Sequence, residues 1–308
     1  MPIDRRKLAD YALMLADDVR MRAYQAAIAA VCPGRTVCEI GVGLGPLTLM
    51  ALRAGATHVY GIERDAGVLD LASRCIADAG VGPQRFTPIH GYSHEIELPR
   101  RVDVVMSETL DSMGVGENTV HYMEDARRRF LAPNGVFLPS QLRCIVALAS
   151  PRAHLDKLDL WKRGLVERYA IDLGAVLDAT AHHKQTISVG TDEVLSAWQL
   201  WQRIDFATPR TPDPKPAVVL PVRRAGVVHG LAFAFDCDLA VGVILRTLPD
   251  DPPTHWQQGF WPVPAPLHVD VGDAIHVRFA LSDGTGPSVN FRAEIRHIPA
   301  SLLTPRCA

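Results

Sequence analysis

Two glutamates nine positions apart, Glu108 and Glu117, frame the stretch "SETLDSMGVGE", which directly follows the apolar run "VDVVM". Open α/β sheets bind ligands beyond the carboxyl ends of their strands, so both acids would stand at a strand mouth. Two neighbouring carboxylates raise one another's pKa unless a cation between them keeps both ionised. A guanidinium suits that place, because it is planar, stays charged, and presents forked N–H donors that match a carboxylate two at a time. Held from two sides, it keeps one terminal nitrogen free. The negative field of the acids draws positive charge onto the other nitrogens, which makes the free one more nucleophilic. The plainer alternative has Glu108 capping a loop or helix and Glu117 as a solvated acid in the first turn of "ENTVHYMEDARRRF", where the helix dipole favours acids.

A second cluster lies upstream. "EIGVGLGP" puts Gly41, Gly43 and Gly45 at alternate positions ahead of Pro46, behind Glu39. Proline suits a first helical turn, where its missing N–H has no partner anyway. A dinucleotide fingerprint needs its third glycine five positions after the first, and here that position is Pro46. The alternate spacing is instead that of S-adenosylmethionine sites. Glu63 ends the run "YGIE" and is placed to accept hydrogen bonds from ribose hydroxyls. A glycine-rich turn used only for tight strand-to-helix packing is the competing reading.

The elements that would position these groups follow from periodicity. Residues 7–31 repeat apolar positions at helical spacing, which predicts two short helices or one bent one. "TVCEI" (36–40), "HVYGIE" (58–63), "FTPIH" (86–90), "VDVVM" (102–106) and "GVFLP" (135–139) read as strands alternating with helical stretches, the pattern of a doubly wound parallel α/β sheet. After Pro139 short β-rich runs broken by Pro, Gly and Asp predict an antiparallel barrel or sandwich. A mostly helical insertion interrupts them at about 154–187, and "TPRTPDPKPA" (208–217) reads as a connector.

Composition sets outer limits. The chain has 308 residues, enough for two packed units. A net charge of -2 offers no basic excess for phosphate backbones, so nucleic-acid binding is not expected. Six scattered cysteines without a CxxC pair fit a reducing compartment. The N-terminal residues lack a signal-type apolar core and no run approaches membrane-span length, so a cytoplasmic protein away from the membrane is expected. His182-His183 lack the spacing of a helical ligand pair, and no metal is expected.

Taken in order, "MLADDVR" (14–20), "EIGVGLG" (39–45), "YGIE" (60–63), "SETLDSMGVGE" (107–117), "FLAPNGVFLPS" (130–140) and "THW" (254–256) resemble the protein arginine methyltransferase family. The resemblance implies a Rossmann-like S-adenosyl-L-methionine domain over residues 1–139, joined through Pro139, cis in relatives, to a β-barrel over 140–308. The helical insertion would be a dimerisation arm, making a homodimer. It also implies that Arg20 receives the methionine carboxylate of the cofactor, that Gly41, Gly43 and Gly45 pack closely on it beside Glu39, and that Glu63 takes the ribose. Met14 would lie near the sulfonium. Glu108 and Glu117 would grip the guanidinium, with His255 and Asp17 as the pair at the substrate entrance and proton exit. The adenine-contacting acid of the family aligns with His94, with Glu95 beside it, and the choice between them stays open.

Three departures bear on function. Tyr11 alone stands where the family has an aromatic-rich opening motif. Bulky aromatics of the family's double-glutamate loop are replaced by Thr109, Ser112 and Gly116, leaving a roomier, more polar pocket. That loop and the lack of appended binding domains favour free L-arginine or a small guanidine over an arginine-containing peptide. A non-catalytic cofactor-binding scaffold, and a transferase acting on oxygen or another amine, are the rival classes.

Overall fold

The structure, a computed structural model, describes residues 5–173, 175, 183–209, 217–281 and 291–300. Part of the expected arm, with His182, and most of the proline-rich connector lie outside the described residues. The N-terminal helical stretch resolves into two helices, α1 (Arg5–Ala16) and α2 (Asp18–Val31). The break falls at Asp17, whose carboxylate accepts the N–H of Arg20 at 2.9 Å and caps α2.

Five parallel strands follow: β1 (Thr36–Ile40), β2 (His58–Glu63), β3 (Phe86–His90), β4 (Val102–Ser107) and β5 (Leu131–Leu138). Helices α3 (Pro46–Arg53), α4 (Ala66–Asp78) and α5 (Thr119–Arg129) connect them. Their spatial order is β3-β2-β1-β4-β5. The chain therefore leaves β1 in one direction and returns to its other side with β4, and the crevice between their carboxyl ends is where such sheets take ligands. Val37, Cys38, Val104, Val105 and Met106 are fully buried, as expected for parallel strands covered on both faces. The "GVFLP" run is the end of β5, which begins four residues earlier at Leu131. The peptide bond between Leu138 and Pro139 is cis.

Antiparallel structure begins with β6 (Gln141–Ala149). Helices α6 (Arg152–Asp159) and α7 (Leu165–Tyr169), separated by a π-helical turn over Leu160–Gly164, then project from it. Leu160, Val166, Tyr169, Ile171 and Leu173 are exposed there. The insertion was expected to be helical to residue 187, but it returns as a strand, β7 (Gln185–Ile187). Three residues are too few for alternation to register in a sequence. The remaining strands are β8 (Gln199–Asp205), β9 (Ala217–Pro221), β10 (Gly226–Ala240), β11 (Val243–Arg246), β12 (Gln258–Val269), β13 (Ala274–Leu281) and β14 (Phe291–Ile298). Six form a sheet in the order β7-β12-β10-β6-β8, with β11 on β10, and three form a sheet in the order β14-β13-β9. The Ser196–Val222 bridge joins their borders. Trp201 and Phe233 of the larger sheet pack on Phe279 of the smaller, with ring centroids 4.8 and 6.1 Å away. Hydrogen bonds do not close the strands into one ring among the described residues.

One core spans both halves. Leu110, Met113 and Val115 of the double-glutamate loop are buried among Leu142, Cys144 and Phe235 of the antiparallel sheet. A Cβ at Gly114 would lie 3.3 Å from Cys144 Sγ, Leu142 Cδ2 and Phe235 Cβ. The loop has too few large side chains for a core of its own and uses that of the second sheet. Among the described residues no helix is long and apolar enough to cross a membrane.

Candidate active site

Two cavities meet at the mouth of β1 and β4. The first, of about 540 Å³, is lined by the turn after β1, the end of β2, Tyr11, Met14 and Arg20. The second, of about 760 Å³, lies between the double-glutamate loop, the α1–α2 junction and the segment around His255. Met14, Glu108 and Glu117 line both. The two acids therefore share a wall between the cavities.

The Glu108 side chain is 4% exposed and paired. Its Oε2 accepts from Arg20 Nε at 3.1 Å and from Arg20 Nη2. Arg20 Nη1 donates to the Met14 carbonyl at 3.2 Å, and its Cζ stands 5.9 Å from the Trp256 ring centroid. Glu108 thus already holds one guanidinium from one side. Glu117 is an exposed residue whose side chain lines both cavities, and partial desolvation there, the Glu108 charge and the Asp111 charge push its carboxyl up to about 7.

Asp17 ties the two halves together. Its Oδ1 caps α2, while Oδ2 accepts from the His255 backbone N–H at 2.8 Å and from His255 Nδ1 at 2.9 Å. Burial raises this carboxyl, but the bonds from Arg20 and His255 outweigh it and hold the group below its ordinary value. With Nδ1 donating to Asp17, His255 Nε2 is the basic nitrogen of the neutral ring. Trp256 Nε1 donates to the Leu110 carbonyl at 2.7 Å, which fixes this segment to the double-glutamate loop.

In the first cavity, Gly41 and Gly43 have φ of +81° and +55°, a region that other L-residues seldom enter. A Cβ on Gly43 would meet Tyr11 Cε1 at 3.0 Å, so the Tyr11 ring lies over the turn. Glu63 accepts from Gly43 N at 3.1 Å and from Asp65 N at 3.0 Å. Glu39 is buried and accepts from the Thr48 hydroxyl; burial raises it to about 8, leaving it mostly protonated near neutral pH. A cation at one end, an acid at the other and a glycine-rich turn between suit a nucleoside carrying a charged amino-acid tail. Arg20, Glu63, Gly41 and Gly43 could hold that molecule, with Glu39 beside it.

Two expected cofactor residues stand elsewhere. Gly45 is off the cavity wall and lets α3 approach α4, since a Cβ there would meet Ile76 Cδ1 at 3.0 Å. His94 is exposed, with its ring 5.6 Å from that of Tyr92; Gly91, Tyr92 and Ser93 line the cavity in its stead. Lys184 and Asp111, which nothing in the sequence marks, also line the second cavity. Their neighbourhood depends on β7, which carried no local signal. No group of three His, Cys, Asp or Glu able to hold a metal ion occurs among the described residues.

Comparisons with known proteins agree with this architecture. Residues 144–294 match the arginine methyltransferase oligomerization subdomain. A probable histone-arginine methyltransferase 1.4 of Arabidopsis thaliana is 31% identical over 87% of this chain, although the chain spans only 53% of that relative. An arginine N(omega)-methyltransferase of Streptomyces achromogenes subsp. streptozoticus is 29% identical over 88% of this chain and 76% of its own length. In fold, the chain is similar to the Trypanosoma brucei PRMT1 enzyme-prozyme heterotetrameric complex with AdoHcy, with a TM-score of 0.77 at 21% identity over 94% of this chain and 97% of that one. The second half thus carries the arginine methyltransferase oligomerization subdomain, and the chain as a whole is similar in sequence and in fold to arginine methyltransferases along nearly its entire length.

Proposed function

We propose that this protein is an S-adenosyl-L-methionine-dependent N-methyltransferase acting on a guanidino nitrogen of free L-arginine or a similar small guanidine. The observation that carries it is the position of Glu108 and Glu117 on the wall between a cavity suited to the cofactor and a second, acidic one. When bound, the cofactor supplies an electrophilic methyl group on a sulfonium, leaving S-adenosyl-L-homocysteine. The chain's own residues do the rest. Arg20 anchors the cofactor's carboxylate and Glu63 its ribose, with Gly41 and Gly43 giving access to the backbone. Glu108 and Glu117 would orient the guanidinium so that one nitrogen is left free toward the first cavity, whose wall Met14 shares. The proton that this nitrogen loses on methylation would pass to Glu117 or to His255 Nε2, which Asp17 keeps in the accepting tautomer. Positioning and charge supply the rate, with no covalent enzyme intermediate.

The two units would meet at Pro139. The exposed apolar side chains of the π-helical turn (Leu160), of α7 (Val166, Tyr169) and just after it (Ile171, Leu173), within the matched oligomerization subdomain, support pairing with a second copy through this arm. A second reading is methylation of a protein or peptide arginine; the acidic second cavity, with Asp10, Asp17 and Asp18 at its wall, also suits a basic peptide. Incubation with methyl-labelled cofactor and either free L-arginine or an arginine-rich peptide separates them. Label in L-arginine is the expected result, and label confined to the peptide reverses the choice.

A further inference from the structure

The second cavity is walled by acids: Asp10, Asp17, Asp18, Glu108, Asp111 and Glu117. One lysine, Lys184, stands among them. It immediately precedes β7 and owes its place to tertiary pairing, because β7 joins β12 through Gly259–Thr186 and Gln258–Ile187. Lys184 Nζ donates to Asp111 Oδ2. The other oxygen of Asp111 accepts the N–H groups of Met113 at 3.0 Å and Gly116 at 2.8 Å. A Cβ at position 116 would fall 1.9 Å from Asp111 Oδ2, so Gly116 is what allows this carboxylate to lie against the loop, one residue from Glu117. Ser112 Oγ and Thr186 Oγ1 are 3.2 Å apart on the same wall.

The wall beside the two glutamates therefore presents an ammonium next to a carboxylate. That is the charge pattern of an α-amino acid with its signs exchanged. A peptide-bound arginine offers neutral amides at this point, whereas free arginine offers an α-carboxylate and an α-ammonium at the far end of a short alkyl chain. Asp111 occupies only one of the three ammonium donors of Lys184. We propose that Lys184 is a specificity-determining residue that receives the α-carboxylate of a free amino-acid substrate, with Asp111 beside it receiving the α-ammonium. This rests on the reading of Glu108 and Glu117 as a guanidinium clamp.

The test uses the full chain with saturating S-adenosyl-L-methionine at about pH 8.5, where Glu117 is ionised. Steady-state kinetics are measured on L-arginine, on agmatine, which lacks the carboxylate, and on L-argininamide, in which it is neutral. Wild type should prefer L-arginine to both. Loss of a charge-assisted hydrogen bond in Lys184→Gln should raise KM for L-arginine about 10- to 100-fold with kcat little changed. The values for agmatine and L-argininamide should move by less than about threefold, and Lys184→Arg should restore most of the preference for L-arginine. Cofactor affinity should stay at the wild-type value, because Lys184 lies outside the first cavity. An equal loss on all three substrates with a lowered melting temperature would make Lys184 only a latch for β7 and overturn the assignment. Should Lys184→Gln not fold, wild type alone decides, since a preference for L-arginine over L-argininamide below about threefold refutes the carboxylate contact. Wild-type activity on a peptide with none on L-arginine defeats the free-amino-acid reading as well. Activity on L-arginine that ignores Lys184 defeats this inference alone.

Discussion

Glu117 offers a quantitative test of the two-acid clamp. Its carboxyl shares a wall with Glu108 and lies near Asp111, and partial desolvation with these charges raises it to about 7 from an ordinary 4.5, against the opposing pull of Lys184 and Arg64. A clamp needs the ionised form. Half of the molecules carry it at about pH 7 and about a tenth at about pH 6, so kcat/KM for the guanidine should fall about fivefold over that unit and about tenfold per unit below it. In kcat the same limb should lie at lower pH, because a bound guanidinium favours the carboxylate. Initial rates with labelled, saturating cofactor from about pH 5.5 to 9 measure this. Saturation matters because Glu39, raised to about 8, titrates in the same window beside the cofactor cavity. Glu117→Gln should be slower and should lose the limb. The stability effect has the opposite sense: a carboxyl whose folded pKa lies above its unfolded one leaves the fold unpenalised in acid, penalises it increasingly as pH rises from 4.5 to about 7, and holds that full penalty above. Glu117→Gln should therefore melt higher than wild type at about pH 8 and equally at about pH 4. A wild-type profile flat down to about pH 5.5, or an unchanged limb in the Gln variant, refutes the reasoning.

Other outcomes follow from the same geometry. Glu108→Gln keeps an acceptor for Arg20 but removes the charge, so turnover should fall at least about 100-fold, while calorimetry should find cofactor affinity equal or tighter because Arg20 is released toward the cofactor's carboxylate. Asp17→Ala loses the α2 cap and both bonds to His255, and chemical denaturation should register a loss of about 1–3 kcal/mol. Asp17 is held below its ordinary value, so its stabilisation is full above the unfolded pKa and is lost as pH falls; the difference between the two proteins should vanish in strong acid. Gly43→Ala, at φ +55° and 3.0 Å from Tyr11, should weaken cofactor binding about tenfold or more with a strain cost of about 1–2 kcal/mol.

Local chemistry was legible in the sequence and long-range proximity was not. β1 to β4 lie where their β-rich runs predict them; β1, β2 and β4 are covered on both faces and are apolar along most of their length for that reason, while β3 is the half-exposed edge strand. The break between α1 and α2, open to two readings, falls on Asp17, whose capping carboxylate reaches an N–H only three residues away. The glycine turn carries its conformational demand in its residue types, as Gly41 and Gly43 do with their positive φ.

What the tertiary structure alone decided concerns groups whose partners are distant in the chain. The pairing of Arg20 with Glu108 spans 88 residues and that of Asp17 with His255 spans 238. Gly45 serves the contact between α3 and α4, and His94 is exposed off the cavity wall, because both positions depend on how the elements pack on the sheet. The burial of Leu110, Met113 and Val115 required a second sheet to cover them. Lys184 has no pattern around it at all; it reaches Asp111 because a three-residue strand pairs with β12. Residue type and short spacing determine what a group can do, but an electrostatic contact falls off within a few ångströms, and only the folded chain determines which groups come that close.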